Sequence, residues 1–395
     1  MKRNQIIALS VGGVAAVLVV GGIVIAASGG GDDAAPAPTP APTTTTTVPE
    51  TTTTSSTTTS TTSTTTTSTT TTVAPTTTVL RQPLTGLPVE KKSELIDRPA
   101  LVVKIDNHGA ARSNHTGLAV ADVVFEEIVE GSLTRFAAVF HTNDSDPVGP
   151  VRSGRTQDVL LFESFNQPLF AWSGGNPGVT RAIAESTLTD LNWQTHTGAY
   201  YRGPGVAPHN LYSSTQRLWA LTPPDHPGAP EQQYRYVNPG KKFKGERDVS
   251  HVDLQVGGIA VDWDWNEERG QFERSQVGAP HNDKTFGRIG ATNVVAMGVE
   301  YRPSVVDANS PEAQTVGTGP IVVFSAGQLI EGTWWRPDVN QPIGFFDNDD
   351  KPLRLTPGNT WIELAEVAGN PDPTQLVGDP NAEWGGIPMS VEPPS

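Results

Sequence analysis

Two guanidinium groups three residues apart, Arg152 and Arg155, flank Ser153 in the run Gly149-Pro150-Val151-Arg152-Ser153-Gly154-Arg155, with Arg135 earlier in Thr134-Arg135. Planar Arg forks suit phosphate or carboxylate oxygens, which they grip through paired N–H donors. A helix starting near Ser153 would turn its free backbone N–H groups toward the same anion. The structural alternative is ion pairing with Glu126, Glu127 or Glu130 of the neighbouring strand-like segment, since an acidic chain has carboxylates to spare.

A second group, Asp106-Asn107-His108 followed by Arg112, stands directly after an apolar run. Polar residues at a strand exit often line the ligand crevice of an α/β sheet, although Asp and Asn also cap ordinary turns. A third group is an internal echo: Ala207-Pro208-His209-Asn210 and Ala279-Pro280-His281-Asn282, the latter followed by Asp283. Proline stiffens each turn that presents a His. Asp106, His108, His209, His281 and Asp283 could together offer oxygen and nitrogen ligands. No HExxH or other tight ligand spacing accompanies them, so no metal is expected. No cofactor is expected either, because no GxSxG, Walker or GxGxxG pattern sits in a strand-turn-helix context. The complete lack of cysteine excludes thiol nucleophiles, thiolate zinc sites and disulfides. Asn114-His115-Thr116 and Asn143-Asp144-Ser145 match the N-glycosylation pattern, a short match that arises often by chance. Trp263, Trp265, Trp334 and Trp335 are either sugar-stacking surfaces or core.

The elements that must position these groups follow from hydrophobic pattern. Residues 98–106, 122–130, 134–142 and 168–172 read as strands, and 157–165 and 179–186 as helices, predicting an α/β-like first domain. Past Lys241-Lys242 the pattern is strand after strand: 258–265, 270–275, 292–301, 319–325, 329–335 and 361–366, with a hairpin turn at Asp347-Asn348-Asp349-Asp350. The fold class expected is therefore α+β, with domains at 81–240 and 241–368 and a Pro/Gly-rich tail at 369–395.

The region before residue 81 can build no such core. Lys2 and Arg3 precede an uncharged apolar run from Ile6 to Ala27, long enough at roughly 33 Å to cross a bilayer core of about 30 Å. Asp32 and Asp33 follow it, so residues 1–28 read as a cytoplasmic tip and single membrane anchor, with the rest extracytoplasmic. A cleaved signal peptide is the alternative, but its apolar region usually spans only about 7 to 15 residues. Residues 29–80, rich in Pro and then in Thr and Ser, predict a disordered stalk spanning roughly 40 Å as coil and roughly 150 Å extended. The chain's net charge is −15, which argues against nucleic acid as a partner.

In order, the segments Pro83 to Pro88, Ile105-Asp106-Asn107-His108, Glu130-Gly131 with Thr134-Arg135-Phe136, the Arg152 turn, Ser173-Gly174-Gly175, Ala207 to Tyr212, Pro280-His281-Asn282-Asp283 and Gly358-Asn359-Thr360-Trp361 resemble a bacterial family of unknown function, that of the YerB-like lipoproteins. The resemblance implies two adjoining domains, α/β-like then β-rich, and no established activity. The lipidated cysteine of such proteins is missing, and the membrane helix and stalk would replace that tether. In layout and charge the chain is also similar to LytR-CpsA-Psr phosphotransferases, which use Arg and Asp around a polyprenyl pyrophosphate. The expected function is a membrane-anchored binding or scaffold module for an envelope or wall component, phosphorylated or glycan in nature. The candidate ligand-binding residues are Asp106, His108, Arg112, Arg135, Arg152, Ser153, Arg155, His209, Asn210, His281 and Asp283. The alternative is a transferase or hydrolase acting on a phosphoester or glycan of a lipid-linked envelope precursor.

Overall fold

Short runs of Val, Ile, Phe and Ala become strands where the sheet they join is covered on both faces, because branched and aromatic side chains fit a pleated surface. A computed structural model of the chain describes residues 79–367 and 383–394. The strands that build its two large sheets are β1 (Leu101–Asp106), β2 (Val123–Ile128), β3 (Thr134–Phe140), β4 (Leu169–Trp172), β5 (Thr189–Asn192), β6 (His251–Val256), β7 (Ile259–Asn266), β8 (Gln271–Gln276), β9 (Asn293–Val299), β10 (Gly317–Ser325), β11 (Gln328–Arg336), β12 (Gly344–Asp347), β13 (Thr360–Glu366) and β14 (Met389–Glu392). Short helices α1 (Thr156–Phe162), α2 (Pro177–Ala184) and α3 (Thr215–Trp219) accompany them.

The main sheet has the order β12-β11-β10-β9-β13-β2-β3-β1-β4-β5, with Arg247–Asp248 added beside β11. Strand β13 runs parallel to both β9 and β2, so strands from either side of residue 240 share one sheet. A second sheet, β8-β7-β6-β14 with two short additions, packs on one face, and α1 and α2 pack on the other. Alternation along β1 divides the cores: Leu101, Val103 and Ile105 meet Val252, Trp263 and Phe272, whereas Val102 belongs with Phe162, Phe170 and Ile183.

Two expectations change. The first half is only partly α/β: β4-α2-β5 is a parallel unit, but β3 pairs antiparallel with both β1 and β2. The outcome is a mixed, sheet-rich fold with few helices. Second, the expected tail contains β14, which pairs antiparallel with β6, while Trp384 and Ile387 are buried. The prolines and glycines around it masked its alternation. The anchor at 6–27 and nearly all of the stalk lie outside the described residues, among which no helix is long and apolar enough to cross a membrane.

Cover on both faces leaves no water for the charges in β1 and β2, yet Lys104, Glu126 and Glu127 are all fully buried. An isolated buried charge costs several kcal/mol, so each requires a counter-ion. On the helix side, Lys104 Nζ lies 2.7 Å from Glu127 and 2.8 Å from Asp158 of α1. Burial and the nearby Asp158 push the Glu127 carboxyl up, against the pull of Lys104. On the other side, Arg274 of β8 pairs with Glu126 and stands 3.6 Å from Glu363 of β13. Burial and the nearby Glu126 likewise raise Glu363 well above the usual carboxyl range, against the pull of Arg274.

A chain of histidines leads outward from Arg274. Its guanidinium can only donate, so His281 Nδ1 accepts at 2.7 Å; His281 Nε2–H then donates to His115 Nδ1 at 2.8 Å. His115 Nε2–H in turn donates to the Asp106 carbonyl at 2.6 Å. Both ends of the chain fix its direction, and a proton added to either ring would set donor against donor. Burial lowers His115 to about 4 despite its bond to Asp106, and lowers His281 well below its ordinary value, with Arg274 adding to the effect.

Arg274→Leu should destabilise the fold by roughly 3–5 kcal/mol in chemical denaturation, because Glu126 and Glu363 would face each other without a cation. A loss under about 1 kcal/mol would mean the trio is dispensable. For His115, the unfolded chain binds a proton between about pH 4 and pH 6.5 and the folded chain does not, so its contribution to stability is lost as pH falls through that window. Nitrogen NMR at pH 6 should find both rings neutral, with the proton on Nε2; titration near pH 6.5 would contradict the chain.

Candidate functional site

Strands β1 and β4 pair only at Leu101–Val103 with Leu169–Ala171. Beyond that point residues 150–152 thread between their ends. Asp106 N donates to Pro150 O at 2.9 Å, Arg152 N to Lys104 O at 2.8 Å, and Ser173 N to Arg152 O at 2.9 Å. Gly149 permits the entry: its φ is +146°, and a Cβ there would lie 2.8 Å from the Leu211 carbonyl oxygen. Gly154 packs so closely that a Cβ would meet Ile183 Cδ1 at 2.9 Å. The turn is thereby held over the C-terminal end of β1, with Ser153 buried beside Gly174.

Strand register supplies the floor. Arg135 lies opposite Asp106 on one side and Glu127 on the other, on the same face as Lys104. Asp106 Oδ2 meets His209 Nδ1 at 2.6 Å and Arg152 Nε at 3.3 Å, and its Oδ1 accepts the His108 N–H at 3.0 Å. Burial alone would raise this carboxyl; the bonds from His209 and His108 and the Arg152 charge outweigh it and hold the pKa below its ordinary value. The His108 and His209 rings stack with centroids 4.3 Å apart.

The three arginines differ in their partners. Arg155 pairs with Glu130 and donates to Gly154 O at 2.7 Å. Burial would raise Glu130, but the bonds from Arg155 and Ser310 lower it to about 2. Arg152 reaches Asp106 and keeps 24% of its side chain exposed. Arg135 has no ion pair among the described residues. Among the described residues its one side-chain hydrogen bond is a long one, 3.5 Å, to Ser153 O. Burial, then repulsion from Arg155 and Arg152, lowers it to about 10 against the pull of Glu130 and Asp106. Cationic charge is therefore concentrated at a strand end without full compensation.

Asp106, His108, Arg135, Arg152, Ser153, Arg155 and His209 are thus gathered at one end of β1. Arg112 donates to Asn107 O at 3.2 Å, and Asn210 bonds Arg202 and the carbonyls of Gly203 and Gly205, so both support turns around the site. The echoed tetrapeptide has two different fates. His281 is buried and reaches Asp106 only through His115, and Asp283 caps a turn by accepting from the N–H groups of Ala119, Thr285 and Phe286. The five residues weighed as metal ligands do not converge. A group whose ligand atoms do lie within 4.8 Å of one another is His251, Asp253 and Asp262, on the outer face of β6 and β7. Sequence reasoning missed His115, Lys104, Arg274 and Glu363; charge inside the otherwise apolar runs of β1 and β13 was a signal for Lys104 and Glu363, whereas His115 in a loop and Arg274 in the polar run of β8 had none.

The chain matches the DUF3048 family of proteins of unknown function, its N-terminal domain over residues 84–227 and its C-terminal domain over 250–362. It is 28% identical over 301 residues to the "Putative lipoprotein YerB" of Bacillus subtilis (strain 168), covering 72% of this chain and 86% of that one. The fold is similar to the crystal structure of the YerB protein from Bacillus subtilis, with a TM-score of 0.64 and 23% identity over 79% of this chain and 99% of the other. The chain belongs to the DUF3048 family of unknown function, of which it carries both the N- and C-terminal domains.

Proposed function

We propose that this protein is a membrane-tethered envelope module that binds an anionic component, bearing phosphate or carboxylate, at the Arg135, Arg152 and Arg155 cluster. The observation that carries the reading is Arg135, a largely desolvated guanidinium without a carboxylate partner, set among two others in a protein of net charge −15. An incoming anion would supply the charge that the fold withholds. Similarity to a protein described as a lipoprotein supports a place at the membrane. The sequence has no cysteine to carry a lipid, so residues 6–27 are the proposed tether and 29–80 the spacer. Nucleic acid remains an unsuitable partner for so acidic a chain.

A second reading rests on the 2.6 Å contact between Asp106 and His209. A carboxylate that orients an imidazole is a recurrent acid–base arrangement, and adjacent guanidiniums could stabilise phosphate charge. In that case the module transfers or hydrolyses a phosphoester or glycan.

Arg135→Met should leave thermal stability unchanged or raised, since an unpaired charge is removed from a desolvated place, while affinity for inorganic pyrophosphate by calorimetry falls at least tenfold. Lower stability with unchanged affinity would sink the binding reading. The catalytic reading expects turnover of a lipid-linked pyrophosphate by the full chain, lost in Asp106→Asn; no turnover across a panel of divalent metals counts against it.

A further inference from the structure

A wide cleft lies far from the arginine turn in strand order, at the β12 edge of the main sheet. It has a volume of about 1060 Å³ and is walled by β11, β12 and the segments 232–238 and 352–354. Its lining differs in character from the cores. Of the four tryptophans that read as either sugar platforms or core, Trp263 and Trp334 are buried, whereas Trp335 is 52% exposed and faces this cleft.

The sheet keeps that indole uncovered. On the β12 side Trp335 stands opposite Gly344, so no side chain of that edge strand lies over it; its neighbour in β10 is the small Thr318. A Cβ on Gly344 would meet Phe346 Cε2 at 2.8 Å, and Phe346 also lines the cleft. A bare aromatic face of this kind offers stacking to a sugar ring, whose C–H groups are apolar on one face while its hydroxyls bond to surrounding polar groups.

Charge narrows the class. Arg81, Arg235 and Arg354 all line the cleft, and none forms an ion pair among the described residues. Arg81 donates to the carbonyls of Gly86 and Val237 at 2.7 and 2.8 Å, and Arg354 donates to Tyr236 O at 3.3 Å. The lining includes a single carboxylate, Asp338, whose Oδ1 accepts the Asn340 N–H at 2.8 Å. Three guanidiniums against one carboxylate, in a protein of net charge −15, select an acidic ligand from an otherwise anion-repelling surface.

We infer that the cleft bounded by Trp335, Phe346, Arg81, Arg235 and Arg354 binds an acidic oligosaccharide, with one sugar ring on Trp335 and its carboxylates toward Arg235 and Arg354. This site is separate from the Arg135 cluster and stands or falls independently of it. The probe is hexagalacturonate, titrated calorimetrically into the full-length chain, with neutral maltohexaose and the peptide hexaglutamate as comparisons. Hexagalacturonate should bind most tightly of the three. Trp335→Ala should weaken it at least tenfold and Trp335→Phe much less, while Arg235→Ala with Arg354→Ala should flatten the salt dependence. Trp335 and both arginines are exposed, so these variants keep the core intact; unchanged thermal melting verifies this. The inference is overturned by failure to bind hexagalacturonate, by equal binding of maltohexaose or hexaglutamate, or by Trp335→Ala binding as the wild type does.

Discussion

Glu126 and Glu127 are neighbours in a strand, so they point to opposite faces of a sheet that is covered on both. Neither can reach water, and each must find its own cation, Glu127 within the same sheet and Glu126 from the second sheet. Lys104 answers both Glu127 and Asp158 of α1, and Arg274 answers Glu126 from the second sheet. Replacing such pairs with apolar residues can be neutral or stabilising, but removing one member is costly. The pairs therefore bind the three layers to one register: a shift of β2 by a single residue would turn both carboxylates toward the wrong partners.

The same requirement shapes the proposed anion site. Arg274 is matched to Glu126 and Arg155 to Glu130, while the buried Arg336 donates to the carbonyls of Gln341, Leu160 and Val339. Arg135 occupies a place in β3 where its register neighbours are Asp106 and Glu127, and both of these are already engaged, by His209 and Arg152 and by Lys104. The neighbouring carboxylates satisfy other groups, and the guanidinium at the strand end is left to the crevice. The His281–His115 chain bonds the backbone carbonyl of Asp106 from the far face of the sheet, so the buried charge layer and the site meet at one residue.

Local pattern revealed β1 to β4 but not the short, polar β5, together with both main helices and the Arg152 turn, because β-branched runs and Gly-Pro signals are short-range. It did not reveal that β13 would lie between β2 and β9, joining the two halves, since parallel pairing at that separation leaves no local mark. Of the site, the Asp106 and Arg152 groups were legible as a strand exit and an Arg-bearing turn. Their union with His209 was not, being a contact across 103 positions. The echoed Ala-Pro-His-Asn also misled: one His meets a carboxylate at the rim and the other an arginine in the interior, and only tertiary surroundings distinguish them.

The central claim is that the fold leaves Arg135 for an external anion. Crystals of the protein soaked in tungstate, an oxyanion with strong anomalous scattering, would test it directly. The account predicts an anomalous peak within hydrogen-bonding distance of the Arg135 and Arg152 guanidiniums. An Arg135 side chain folded onto Asp106 or Glu130, with no anion beside it, would contradict it.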